Sequence, residues 1–430
     1  MFAIIIGLIV IALVVTLLLK GYYPQAILFM GGVVLLTCTA IFGWGDLLNA
    51  KQTTNFIGFD IFKVFSTGFS SRIAGLGLTL MAIGGFSRYM EHVGASAALF
   101  SVFEKPLKLI KSPYVLLGAS FLVSQIMVIF VPSHAGLALL LMVTLYPILI
   151  RSGVSPMSAL GVIGCAQFVD VGPGSGNAIL AAQTAGVDVS EYFVYYQLPL
   201  FVVQTLAGAK TTEQDKKVPK IYAILPIIPL FLIIFFSKVA GSHIRMDVVT
   251  AMVISTVIAI IFELIRLRNF RDVLASFKLF FEGMGKILVS VVSLIVCGEF
   301  FAAGLIKSGF MGTLITAAND AGFGLATMVI VGGALVWLFS FIMGSGNAAF
   351  FSFAPLLPNV AHVIGVPIIQ LIFPLQVILG FGRASSPITG AIVAISGLAG
   401  VSPFQVAKRT FIPMLFGTAI TYIAYFLFWY

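Results

Sequence analysis

Residues 131–154 read VPSHAGLALLLMVTLYPILIRSGV, and residues 343–366 read MGSGNAAFFSFAPLLPNVAHVIGV. In each, a short polar interruption parts two apolar runs: Ser133-His134 in the first, Gly344-Ser345-Gly346-Asn347 in the second. Ser133 aligns with Ser345 and Gly153-Val154 with Gly365-Val366, each 212 residues apart. Downstream, DVGPGSGNAILAAQTAGV (170–187) faces RASSPITGAIVAISGLAGV (383–401). There the AIL and AIV triplets lie 213 apart, and Gly186/Gly400 and Pro199/Pro413 lie 214 apart. Order, spacing and polar interruptions agree, so the chain reads as two copies of one plan.

Composition says what solvent that plan lives in. Of 430 residues, 60% are hydrophobic and 9% are charged. A water-soluble domain needs about 25% charged residues to solvate its surface. The net charge of +9 therefore reads as loop lysines and arginines rather than a nucleic-acid footprint. Forty Phe and 43 Gly suit close-packed helices in lipid. Cys38, Cys165 and Cys297 stand singly in apolar runs, which excludes a disulfide framework and a structural zinc site. The first apolar run, 3–19, has no basic residue before it and reads as a spanning helix, not a signal peptide.

A span needs about 20 apolar residues. Ten stretches qualify: 3–19, 24–42, 73–90, 160–182, 193–209, 221–236, 248–265, 287–306, 368–393 and 411–429. The expected fold is thus an all-α polytopic membrane protein of about ten transmembrane helices. Residues 53–71 and 95–111 alternate apolar and charged positions at spacings of three and four, as in helices lying at the headgroups. Basic clusters at 105–111, 210–220, 266–271 and 408–409 belong on the cytoplasmic side. All four fall there only if 113–150 and 323–363 are re-entrant hairpins, with the chain termini on the other side. The two halves are then inverted in topology: 1–209, with hairpin 113–150 and broken helix 160–182, and 221–430, with hairpin 323–363 and broken helix 368–393. Residues 210–220 form a cytoplasmic linker between them. Inverted repeats with paired, Gly/Pro-interrupted apolar segments are the signature of a secondary transporter.

Four interruptions are expected to meet near the bilayer midplane: Ser133-His134, Gly174-Ser175-Gly176-Asn177, Gly344-Ser345-Gly346-Asn347, and Arg383 with Ser385 and Ser386. Each starts a half-helix whose free N–H groups and dipole favour an anion, and four such ends suit a substrate with two anionic ends. Arg383 offers a bidentate cation for a carboxylate. Asp170, His134 and Glu299 are the titratable groups at depth that are candidates for coupling to a proton or cation. No Walker sequence and no metal-ligand cluster is present, so no cofactor is expected beyond a coupling ion, sodium or proton. Gly172-Pro173-Gly174-Ser175-Gly176 matches GxSxG only loosely and lacks a strand–turn–helix context. An anion channel and an intramembrane Ser133/His134 hydrolase remain the alternatives of other classes.

The segments KGYYPQAILFMGGVVLL, GFSRYMEHVGAS, GSGNAAFFSF and LGFGRASSPITGAIVAISGLAGVSPFQVAKRT, together with the Ser133 hairpin, resemble the DcuC-type anaerobic C4-dicarboxylate transporters over almost the whole chain. More distantly the plan is similar to divalent anion:sodium symporters, whose hairpin tips carry Ser-Asn-Thr. Here the tips read Ser133-His134-Ala135 and Ser345-Gly346-Asn347, with fewer side-chain oxygens for sodium. The resemblance implies a carrier of fumarate, succinate or malate in a bacterial inner membrane, working by exchange or ion coupling with elevator-like alternating access. It also implies a homodimer in lipid, with no nucleic-acid partner and no enzymatic activity. Another organic anion on the same fold stays open.

Overall fold

The computed structural model describes residues 2–20, 22–49, 52–108, 110, 112–131, 133–166, 168, 170–205, 220–244, 246–310 and 324–430. These are helical throughout, with no strand among the described residues. Ten of the described helices are long and apolar enough to cross a bilayer, so the chain is a multi-pass membrane protein. Ile41, Leu427 and Phe416, each at least two-thirds exposed, belong to the outer surface that lipid would cover.

The membership of those ten differs from the sequence expectation. Four are hairpin arms, Pro113–Phe130, His134–Arg151, Leu325–Met343 and Gly346–Ile364. The stretches 3–19, 160–182 and 221–236 give shorter helices instead, and 193–209 gives the π turn Tyr192–Gln197 and the short helix Leu198–Thr205, with 206–209 outside the described residues. Residues 53–71 are not a separate surface helix. Ile57–Arg72 runs through a π turn, Ile73–Gly77, into Leu78–His92, making one 36-residue helix. A π turn absorbs an extra residue without breaking the helix, which is why the change in pattern at Arg72 does not end it. The second half contains the same device: Lys278–Ile287 continues through Leu288–Val292 into Ser293–Lys307. The expected linker falls outside the described residues except for Lys220, as does Phe323 at the start of the second hairpin.

Each hairpin turns at its polar interruption because serine caps the returning helix. The Ser133 hydroxyl accepts from the Gly136 N–H, and the Ser345 hydroxyl accepts from the Ala348 N–H. At Gly344 the chain takes φ +62°, and a Cβ there would meet the Ile388 backbone at 2.9 Å, so only glycine fits the turn. The first broken helix parts between Pro156–Cys165 and Gly176–Ala185, at Gly172-Pro173. The second parts between Ile368–Ser385 and Gly390–Ala399, at Pro387. Glycines paired by the internal alignment share left-handed backbones: Gly153 and Gly365 at +83° and +71°, Gly186 and Gly400 at +72° and +67°.

Packing crosses the two halves. Helix 390–399 lies against 134–144, and helix 176–185 lies against both 346–353 and 368–385. Elsewhere 293–307 runs along 24–42, where Gly304 lets the Leu35 side chain approach closely.

Candidate functional site

Arg383 ends the first arm of the second broken helix and is 4% exposed. Its Nη1 donates to Asp170 Oδ2 at 3.1 Å, and its Nη2 lies 3.0 Å from His134 Nε2. A guanidinium only donates, so that second contact requires His134 Nε2 to be the unprotonated ring nitrogen. Asp170 is 8% exposed and also accepts from the Ser175 hydroxyl and the Asn177 amide. The same Asn177 amide donates to Asn347 Oδ1 at 2.8 Å. Two crossed pairs result: the tip of the first hairpin meets the break of the second half, and the tip of the second hairpin meets the break of the first.

A buried charge pair survives only if its remaining polar atoms are served. The Asp170 carbonyl accepts from Gln376 Nε2 at 2.8 Å and from Gln197 Nε2 at 3.4 Å. Gln197 Oε1 in turn accepts from the Gly172 N–H at 2.9 Å, while Gln376 Oε1 accepts from Gln197 Nε2 and the Tyr192 hydroxyl. Three side chains from a π turn and a broken helix thus hold the exposed backbone of the 170–172 break. Sequence reasoning missed Gln197, Gln376 and Tyr192. The available signal was a glutamine inside an otherwise apolar run, twice.

Beside this constellation opens a cavity of about 560 Å³. Ser133, His134, Asp170, Gly174, Ser175, Gly176, Asn177 and Asn347 line one wall. A second part of the lining comes from helices 78–92 and 278–287 and carries Arg88, Glu91, Glu282 and Lys286, none of them among the sequence candidates. Other expected residues sit elsewhere. The Ser385 hydroxyl donates to the Phe381 carbonyl, and the buried Ser386 hydroxyl accepts from the Ile388 N–H. Gly344, Ser345 and Gly346 build the second tip without lining the cavity. Glu299 lies apart, 2.7 Å from Arg72 in an ion pair that ties helix 57–72 to helix 293–307. No group of three His, Cys, Asp or Glu able to hold a metal occurs among the described residues. The arrangement can bind a small anion: hydroxyl and amide donors of Ser133, Ser175, Asn177 and Asn347 face the chamber at helix starts, while Arg383 lies buried behind Asp170 and His134 without lining it.

Comparison with known proteins points the same way. A family model described as the C4-dicarboxylate anaerobic carrier, DcuC, matches residues 2–211 and 204–430. The anaerobic C4-dicarboxylate transporter DcuC of Escherichia coli K12 is 32% identical over 440 residues, covering 97% of this chain and 95% of that protein. Among solved structures, the Alcanivorax borkumensis YdaH transporter superposes with a TM-score of 0.64 at 16% identity, covering 95% of this chain and 99% of that one. The Neisseria gonorrhoeae MtrF structure, titled as illuminating a class of antimetabolite efflux pumps, gives 0.59 at 14%, covering 94% of each. At such identities these two neighbours speak for the fold alone.

Proposed function

Because the chain belongs to the DcuC family of C4-dicarboxylate anaerobic carriers, a transporter family and not an enzyme family, we propose that it carries C4-dicarboxylates such as fumarate, succinate and malate across a bacterial inner membrane. The supporting observation is the crossed meeting of tips and breaks around Arg383, Asp170 and His134, beside a chamber large enough for a four-carbon diacid. In the structure Asp170 holds Arg383. A substrate carboxylate takes that guanidinium in the loaded state, so the pair acts as a placeholder. Residues 1–209 and 221–430 are two inverted repeats, and the hairpins and broken helices move together against the long helices in an elevator-like cycle. The carrier works as a homodimer, with both termini periplasmic.

The deciding experiment is uptake of radiolabelled succinate into proteoliposomes, either empty or preloaded with fumarate, under imposed proton or sodium gradients. Saturable uptake accelerated by internal fumarate supports an exchanging carrier. Non-saturable flux unaffected by preloading identifies a channel and sinks the proposal.

Proton coupling is the favoured mode. Protonating His134 would turn Nε2 into a donor facing the Arg383 donor, so proton arrival loosens the contact that closes the empty site. Asp170→Asn is expected to abolish gradient-driven accumulation while sparing part of the exchange. One observation favours sodium instead: Asn177 Oδ1 is buried with no hydrogen-bond partner, an acceptor fit for a cation. Accumulation that follows a sodium gradient at fixed pH, and survives Asp170→Asn, would select that reading.

The topology has its own test. Cysteine placed at Ser155 is expected to label from the cytoplasm, and cysteine at Gly365 from the periplasm, with a membrane-impermeant maleimide. Labelling of both from one face would overturn the inverted repeat.

A further inference from the structure

The second wall of the cavity carries two cations, Arg88 and Lys286, and two carboxylates, Glu91 and Glu282. Helices 78–92 and 278–287 touch backbone to backbone, since a Cβ on Gly283 would come within 2.5 Å of the Gly84 carbonyl oxygen. That approach sets Arg88, one turn beyond Gly84, and Lys286, one turn beyond Gly283, on the same chamber. The acids nearby are engaged: Glu91 pairs with Arg88 at 3.7 Å, and Glu282 pairs with Lys278 at 3.4 Å. On the first wall Asp170 pairs with Arg383. Lys286 has no carboxylate within 4.0 Å among the described residues, yet it faces the chamber beside Leu80, Ile83, Ile287 and Val291. Lys286 is exposed on the chamber side, and an ammonium with no close carboxylate attracts an anion.

Resting on the dicarboxylate reading above, we propose that Lys286, with Arg88 beside it, is the subsite for the second carboxylate of the substrate. One carboxylate then engages the tips and Arg383, and the other reaches across the chamber to helix 278–287. Lysine suits this end because its ammonium is a point charge with three rotatable donors, and it accepts a carboxylate over a range of angles. Arg88 is less available, because Glu91 already claims it. The assignment also explains discrimination: a monocarboxylate satisfies the tips and leaves Lys286 unmatched.

The test uses the purified full-length chain in detergent, with succinate and butyrate as a diacid and a monoacid of equal carbon number. Lys286→Gln is expected to weaken succinate binding roughly ten-fold or more, the worth of one charge-assisted contact, while butyrate binding stays as in the parent. Lys286→Arg should restore most of the succinate affinity, and the thermal unfolding midpoints of both variants should match the parent. Succinate binding unchanged in Lys286→Gln would overturn the subsite. Equal weakening of succinate and butyrate would overturn it too, by making Lys286 a general contributor to the site. A parent chain that binds no dicarboxylate would remove the functional reading itself, and this subsite with it.

Discussion

Replacing Arg383 by lysine is expected to raise the dissociation constant for succinate or fumarate at least several-fold, and Arg383→Ala to raise it further. The two arms of the guanidinium reach different partners, Asp170 through Nη1 and His134 through Nη2. Lysine keeps the charge and loses the fork, so it can serve only one direction at a time. A charge-assisted hydrogen bond is worth about 1.5–3 kcal/mol, or roughly one to two decades in affinity. Alanine has a second effect. It strands Asp170, 8% exposed, without its cation, and breaking a buried pair from one side costs about 3–5 kcal/mol. Arg383→Ala with Asp170→Asn should therefore recover stability without recovering binding. Calorimetric titration and thermal unfolding, measured on the same detergent-purified preparations, separate the two. Parent-like succinate affinity in folded Arg383→Lys and Arg383→Ala protein would make Arg383 structural and the site assignment wrong.

Gly380→Ala is expected to be the most damaging one-carbon change in the chain. A Cβ built at Gly380 falls 1.7 Å from the Phe168 carbonyl oxygen, backbone against backbone. No rotamer change relieves such a contact, so one broken helix must move off the other, at a cost above about 3 kcal/mol. Since Gln376 and Arg383 leave from the same helix, the shift also uncouples both from Asp170. Gly397→Ala is the control. It lies inside helix 390–399 with nothing within 4 Å of its Cβ, so alanine there should be neutral or stabilising by about 0.5–1 kcal/mol. Detergent-solubilised yield and unfolding midpoint are the measurements. A Gly380→Ala protein as stable as the control would contradict the packing described.

The sequence showed the interruptions and allowed the Asp170–Arg383 pair, but hid the other partnerships. Ser133, Ser175 and Ser345 stand out because a serine in an apolar run has few reasons to be there, and each turned out to cap a helix. Arg383 and Asp170 stand out because charge is rare at such depth. Gln197 and Gln376 pass unnoticed, since an uncharged amide costs little in an apolar run and its role is fixed by the Asp170–Gly172 backbone and by the other glutamine, 25 to 206 residues away. Arg88 and Lys286 were masked by position. Read along the chain they resemble charges at a membrane end, and only the Gly84–Gly283 contact turns them inward to one chamber. The π turn at 73–77 has no compositional mark, so a continuous helix was read as two.

The crossed pairing carries a consequence for how such a chain can have arisen. His134 meets Arg383, and Asn177 meets Asn347, so both contacts between a tip and a break join residues from opposite halves. A half-length polypeptide, with one tip and one break, completes neither pair by itself. Completing them takes a second half that lends its own tip and break. Fusion of two such copies would have turned a meeting of two molecules into a fold of one. In one chain the two halves need not match, and here the first tip reads Ser-His while the second reads Ser-Gly-Asn.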